Sequence, residues 1–329
     1  MPQEGRKTAS QTLINELQKR SSECNELVRS TFRSEKIEYA DLRKALEHYF
    51  SYWNDFTHPG LFSIAFEAAG GKSNRALRPQ AAIAMIAAGF DIHDDIIDKS
   101  IQKHNYQTVF GKYGQDLALL LGNAFMINGL TLLELSILHL PAEVSTAIVE
   151  TIKKCLFEVG NAHALELGFK GSSTVSARKY LKILEMKAAS VEADMHIAAL
   201  LASGKSEESE ILRDYGRILG LLATLREEFV DIYDVAELKR RVRRETLPVP
   251  LMLATEVRKK IMEKFMKTRL DQKDVETLMN LVFECEPVSE LKKRMGRLCL
   301  EAQSLADRVK IRKSRDILKR LARSMLEDL

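Results

Sequence analysis

Two stretches decide the fold: Asp94-Asp95-Ile96-Ile97-Asp98 and Glu227-Glu228-Phe229-Val230-Asp231. Each has two adjacent carboxylates, two apolar residues and a third carboxylate, inside a segment with a helical hydrophobic period. On a helix, Asp94 and Asp98 are i,i+4 neighbours on one face, and Asp95 lies on the flank. Like charges so placed cost about 0.2–0.5 kcal/mol per pair. With no lysine interleaved, two such sets require cations between them. Mg²⁺ suits the task, because it binds through one or two carboxylates, keeps several waters and completes its shell with substrate phosphates. The pair of clusters points to a diphosphate held through metal ions.

Outward from the first cluster, Pro79 sits where the first turn of a helix through Ala81–Ile97 should be, and the first half of that helix is free of charge. A stretch apolar all round is expected to be buried. Gly114–Leu140 has the same character, with Leu117, Leu119, Leu120, Leu121, Phe125, Met126 and Leu132. A third helix is expected from about Glu210 to Tyr233, carrying the second cluster. Two apolar helices that end in acids describe a bundle with a polar mouth and an apolar interior. Residues 9–35 and 288–329 have helical spacing with many charges, and their Lys and Arg read as solvated faces. No strand pair and no repeat is evident, so one domain over 1–329 is expected.

Composition agrees. Sixteen glycines and seven prolines in 329 residues are few, and 45% of the chain is hydrophobic. That favours long helices with short connections around a large core. Fifty basic against 46 acidic residues leave a net charge of +4, which gives no reason to expect nucleic acid. Cys24, Cys155, Cys285 and Cys299 are too scattered for a zinc site or a disulfide framework. The first residues are polar, and no uninterrupted apolar run reaches the roughly 18 residues of a membrane span. A cytoplasmic protein is expected.

A second constellation precedes the buried helix: Gly70-Gly71-Lys72-Ser73-Asn74-Arg75-Ala76-Leu77-Arg78-Pro79. Backbone amides at a helix start, with Lys and Arg, make an anion site. Its Gly-Lys-Ser resembles the end of a P-loop, but Phe66 occupies the earlier glycine position and no strand precedes it, so that reading fails. Other basic residues fall near the acids: Lys103 and His104 after the first cluster, Lys187 within an apolar helix, and Arg243 and Arg244 after the second.

Together these motifs resemble those of the trans-isoprenyl diphosphate synthases, the polyprenyl synthetase family. Asp94–Asp98 is similar to the family's first aspartate-rich motif, and Gly70-Gly71-Lys72 with Arg75 to its isopentenyl diphosphate turn. Glu227–Asp231 lies where the second motif belongs, Lys187 where the family has Lys-Thr, and Arg244 before Thr246-Leu247-Pro248 where it has Lys. The resemblance covers roughly residues 60–250. It implies an all-α isoprenoid-synthase helical bundle around a deep central cavity, usually homodimeric. It also implies a transferase of isoprenoid biosynthesis that joins an allylic diphosphate to isopentenyl diphosphate.

In that family two or three Mg²⁺ ions bridge both motifs and the allylic diphosphate. Asp94, Asp95, Asp98, Glu227, Glu228 and Asp231 are the implied metal ligands. Lys72, Arg75, Lys103, His104, Lys187 and Arg244 are the implied diphosphate ligands. Phe90, Gly89, Ile86 and Met85, one and two turns before Asp94, would form the floor of the product tunnel. Glycine at 89 leaves space and Phe90 caps it, which implies a farnesyl- or geranylgeranyl-like product. The departures are Glu227 and Glu228 for two aspartates, Lys103-His104 for an Arg-Arg pair, Ala87 for a histidine, Thr224 for a glutamine and Asn123 for an aspartate. They fall more on the isopentenyl diphosphate site than on the allylic site. A terpene cyclase-like relative and a noncatalytic subunit of a heteromeric prenyl synthase are the alternatives.

Overall fold

The structure is a computed structural model, and it describes residues 9–72, 75–103, 105–169, 176–233, 238, 241, 246–254 and 280–327. The described residues are almost entirely helical. They form α1 (Ala9–Arg33), α2 (Ala40–Tyr52), α3 (Thr57–Ala68), α4 (Leu77–Ile97), α5 (Val109–Ile137) and α6 (Ala142–Leu167). After these come α7 (Ala177–Lys187), α8 (Ala189–Ser203), α9 (Glu207–Tyr233), α10 (Val249–Leu253), α11 (Glu286–Arg308) and α12 (Arg312–Ser324). The chain divides into two compact units. One comprises Met1–Ile152, Asp194–Arg213 and Val309–Ile317; the other Lys153–Ala193, Asp214–Arg308 and Leu318–Leu329.

The first unit is organised around α4. Pro79 occupies its first turn, and Pro79 to Ile86 are all buried, as the absence of charge there predicts. Ala81, Ala84, Met85, Ala88 and Ile92 join Cys24, Val28 and Phe32 of α1, Tyr49 of α2 and Phe125 of α5 in one core. Its aromatic centre is tight: Phe32 and Phe125 lie 4.2 Å apart and Tyr49 meets Phe125 edge-on at 5.2 Å. Arg29 of α1 donates to the carbonyls of Phe50 and Trp53, both at 2.7 Å, satisfying acceptors that the end of α2 leaves open.

Glycine lets α4 and α5 approach closely. A Cβ on Gly129 would come within 2.7 Å of Ile86 Cγ1 and 2.8 Å of the Ala82 carbonyl, and one on Gly122 would meet the His93 ring at 2.5 Å. α5 begins at Thr108, whose hydroxyl accepts from the Gly111 amide at 2.9 Å, and it kinks at Gly114 (φ 82°).

Two expectations need correction here. Gly114–Leu140 is not buried all round: Ala118, Leu121, Phe125 and Leu133 are buried, while Leu120, Ile127 and Leu135 are exposed. A lone helical period cannot say how many faces are covered. This helix is also long and apolar enough to cross a membrane by length and composition. The second correction is a two-strand hairpin between α4 and α5, β1 (Gln102–Lys103) and β2 (Tyr106–Gln107), paired antiparallel. Strands of two residues leave no periodicity to read.

The second unit holds most of α9, which begins three residues earlier than the sequence suggests, at Glu207. Gly220 accommodates the turn between α7 and α8, since a Cβ there would lie 2.8 Å from the Ala188 carbonyl. Leu219, Leu222, Leu225 and Phe229 are buried, as are Ile183 and Leu184 of α7 and Val249, Leu251 and Met252 of α10.

Candidate active site

The first acid cluster closes α4. Asp98 is the C-terminal cap, its amide donating to the Asp94 carbonyl at 2.8 Å, and Lys99 then takes a left-handed φ of 53° that turns the chain toward the hairpin. The hairpin returns Lys103 to the cluster. Its Nζ lies 2.8 Å from Asp95 Oδ1 and 2.9 Å from Asp91 Oδ1. Asp95 is 3% exposed, whereas Asp94 and Asp98 are half-buried. Burial raises the Asp95 carboxyl to about 7, Lys103 opposing and Asp91 adding to the rise. Burial disfavours the Lys103 ammonium, but Asp91 and Asp95 outweigh it and hold the group above its usual value.

The expected need for an outside cation is therefore met in part by the chain. Lys103 is turned onto carboxylates rather than held open for a phosphate. The chemistry of Asp94 and Asp98, two hard carboxylates one turn apart, fits Mg²⁺. Among the described residues, no three His, Cys, Asp or Glu side chains form a metal cage by themselves. Mg²⁺ does not require one, because substrate phosphates and waters complete its shell.

The glycine turn lies in the same unit. Gly70 has a φ of 88°, and the Arg75 amide donates to the Lys72 carbonyl at 3.1 Å; Lys72 and Arg75 are both exposed. Gly71 is required because Phe66 stands against it, within 2.4 Å of where a Cβ would be. Ser73 and Asn74 lie outside the described residues, as do two expected diphosphate ligands, His104 and Arg244.

Beside Ala87 is a cavity of about 310 Å³ whose walls include Tyr52, Asp55, His58, Asp91 and Tyr106. Among the described residues its lining has two carboxylates and no lysine or arginine. His58 Nδ1 is 2.6 Å from Asp194 Oδ2 of α8, and Asp55 accepts from the amides of Thr57 and His58 at the start of α3. Burial opposes the charged imidazole, but Asp194 and Asp55 raise His58 to about 10. This buried pair was not legible in the sequence.

The expected tunnel floor is divided. Phe90 is half-buried, and Asp91 turns away to Lys103. Gly89 opens no space: Met126 Cγ of α5 would meet its Cβ at 2.6 Å. Ile86 faces Gly129, and Met85 is wholly enclosed in the core.

The second acid cluster, in the other unit, has a different environment. Arg241 Nη1 donates to Glu228 Oε1 at 2.9 Å and to Asp231 Oδ2 at 2.6 Å; Nη2 donates to Glu228 Oε2 at 3.2 Å and to the Tyr180 hydroxyl at 2.9 Å. Nε donates to the Thr246 carbonyl at 3.0 Å. Glu228 Oε2 also accepts from the Val249 amide at 2.8 Å. Glu228 and Arg241 are 4% and 5% exposed. Burial opposes the charge on Arg241, and Glu228, Tyr180 and Asp231 more than offset it.

Glu228 was expected to bind metal, yet both of its oxygens are committed to the protein. Glu227 is exposed, and its carboxyl is raised to about 7 by the protein crowded around it and then by Asp231 and Glu228. Lys187 Nζ is 2.6 Å from Glu166 Oε2, and Glu166 Oε1 accepts from Tyr180 at 3.0 Å. Burial would raise Glu166, but Lys187 outweighs it and holds the carboxyl low. Arg241, Tyr180 and Glu166 were missed by sequence reading. Arg241 is one of five cations in residues 239–244, and nothing in the run marks which turns inward.

The chain as a whole is similar to known proteins. The polyprenyl synthetase family model matches residues 10–282. The chain is 26% identical over 181 residues to the geranylgeranyl diphosphate synthase of Sulfolobus acidocaldarius, covering 55% of each chain. It is 27% identical over 218 residues to the short chain isoprenyl diphosphate synthase of Methanothermobacter thermautotrophicus, covering 66% of this chain and 65% of that one. It thus spans under two thirds of the length of either relative. The crystal structure of geranylgeranyl pyrophosphate synthetase from Pyrococcus horikoshii superposes with a TM-score of 0.82 at 20% identity, over 97% of this chain and 99% of that one. The helical fold is that of the isoprenoid synthases, and the chain belongs to the polyprenyl synthetase family.

Proposed function

We propose that this protein is a prenyltransferase that condenses an allylic diphosphate with isopentenyl diphosphate, giving a farnesyl- or geranylgeranyl-like product. The observation that carries the reading is the end of α4. There Asp94 and Asp98 stand half-buried on a helix otherwise packed in apolar core, in a chain with the family's glycine–lysine–arginine turn. Prenyl synthases of this family generally use a divalent metal. When bound, Mg²⁺ supplies Lewis-acid stabilisation of the charge on a departing diphosphate.

Asp94 and Asp98 would hold that ion, and Lys103 keeps Asp95 and Asp91 from adding uncompensated charge. Lys72 and Arg75 bind the diphosphate of the isopentenyl substrate, with Lys187, His104 and Arg244 contributing further cations. The allylic carbon–oxygen bond breaks with its electron pair leaving on diphosphate. The double bond of the second substrate attacks the allylic carbon, and the released diphosphate takes the proton then lost. Phe90, the half-buried aromatic a turn before Asp94, limits chain length, so Phe90→Ala should lengthen the product.

The exposed apolar face of α5, including Leu120, Ile127 and Leu135, suits a second copy of the chain. Ile127→Glu should shift the sedimentation coefficient from dimer to monomer. Four free cysteines suit a reducing cytoplasm.

One observation favours a second reading, in which a single allylic diphosphate is ionised without condensation. The cavity beside Ala87 presents Asp55 and Asp91, and its cation, His58, is already paired with Asp194. Incubation with labelled isopentenyl diphosphate, allylic primers and Mg²⁺ decides between them. Elongated diphosphate supports condensation, released hydrocarbon supports ionisation alone, and no product without an added partner chain refutes both.

A further inference from the structure

Glu228, the buried acid of the second cluster, does not fit a divalent metal, and the reason lies in its hydrogen-bond inventory. A guanidinium has five N–H donors. All five of Arg241's are used, on Glu228 twice, Asp231, Tyr180 and the Thr246 carbonyl. A carboxylate has about four acceptor positions. Glu228 fills three with the two Arg241 bonds and the Val249 amide, and the Tyr180 hydroxyl, 3.3 Å from Oε1, reaches the fourth. That hydroxyl has one hydrogen to give, and Glu166 lies closer at 3.0 Å. The remaining position faces protein, since Glu228 is 4% exposed.

Mg²⁺ demands near-octahedral geometry, dehydrates reluctantly and keeps several waters. To reach Glu228 it would have to displace a saturated guanidinium from a buried position. Removing the cation from a buried pair leaves an uncompensated charge.

We infer that Arg241 takes the place of a metal ion at Glu228, so that Glu228 is tied with Asp231 into a protein ion-pair node and is not a ligand of any divalent ion the chain binds. Arg241 is then a positioning residue. Its fork fixes the end of α9 to Tyr180 of α7 and, through Glu228, to the first amide of α10. This rests on the reading that Asp94 and Asp98 hold metal, but it predicts which carboxylate does not.

The test counts bound Mn²⁺ by electron paramagnetic resonance on the full chain, with inorganic pyrophosphate present, and reads no activity. Glu228→Gln should leave the number of bound ions unchanged, and Arg241→Gln should raise it by opening the cluster. Loss of an ion in Glu228→Gln would overturn the inference. Should Arg241→Gln fail to fold, the thermal midpoint of Glu228→Gln in metal-free buffer decides by its sign. Loss of an ion pair lowers the midpoint, whereas relief of repulsion between bare carboxylates awaiting metal raises it. Asp94→Asn separates the two readings: Mn²⁺ binding that survives it refutes the first-cluster assignment and leaves the Glu228 result standing.

Discussion

The two acid clusters share one spacing in sequence and are neutralised in unlike ways. At the end of α4, Lys103 comes from a short hairpin and engages one edge, Asp91 and Asp95, with Asp91 about half exposed. At the end of α9, Arg241 engages the buried Glu228 in a fork and takes Asp231 as well. A lysine is a compact charge with rotatable donors, while an arginine fork locks two carboxylates in one plane. In the first arrangement Asp94 and Asp98 are half-buried at the helix end, where we propose the metal site. In the second, Glu228 is sealed against Arg241. Identical spacing fixes which face the acids share, and the counter-cation decides whether that face is a site or a joint.

The largest expected effect tests the open cluster. Asp94→Asn should lower turnover on the order of 10²–10³, the range for removing one electrostatic stabiliser of a developing charge. Its denaturation midpoint should stay near that of the parent. If Glu228→Gln loses as much turnover at unchanged stability, the clusters do the same work and the contrast fails.

Next in size is the stability of the joint. Arg241→Met removes five hydrogen bonds at once and strands the buried Glu228, whose carboxyl burial already raises against the pull of Arg241, and should cost about 3–5 kcal/mol in urea unfolding. Lys103→Met should cost less, about 1.5–3 kcal/mol, the range for a hydrogen bond to a charged group. Asp95 can take up a proton near neutral pH and so avoid a bare buried charge. Equal costs would mean that both cations are structural. The His58–Asp194 pair belongs with the joint in kind: His58→Ala strands a carboxylate that is 5% exposed, and should also cost about 3–5 kcal/mol.

Much of this contrast lies beyond what the sequence can express. The helix carrying Asp94 was legible because its first half lacks charge and Pro79 marks its start, and both are local signals. The acid spacing was legible because side chains four apart share a face. The cations were not, because Lys103 lies 12 residues beyond Asp91 and Arg241 lies 13 beyond Glu228. The run at 239–244 offers five candidates of one chemistry, and tertiary packing alone selects Arg241. For α5 the periodicity was right and the burial wrong, since an apolar face looks the same whether its own fold or another chain covers it. Gly89 was read as space, but Met126, 37 positions on, fills it.

The smallest expected effect is a difference in pH dependence. Asp95 and Glu227 each titrate near 7, one in each cluster, against about 3.9 and 4.3 for unfolded Asp and Glu. A carboxyl held above its unfolded value binds its proton more tightly when folded. Its contribution to stability is fully present below about pH 4 and is lost as pH rises to about 7. Asp95 is sealed under Lys103, while Glu227 is exposed and solvent screens its interactions. Asp95 should therefore carry the larger share of that decline. Urea unfolding from pH 4 to 8 should show Asp95→Asn flattening the parental slope, and Glu227→Gln changing it little. The reverse ranking would place the buried proton on α9, and the second cluster would then be the one that responds to its surroundings.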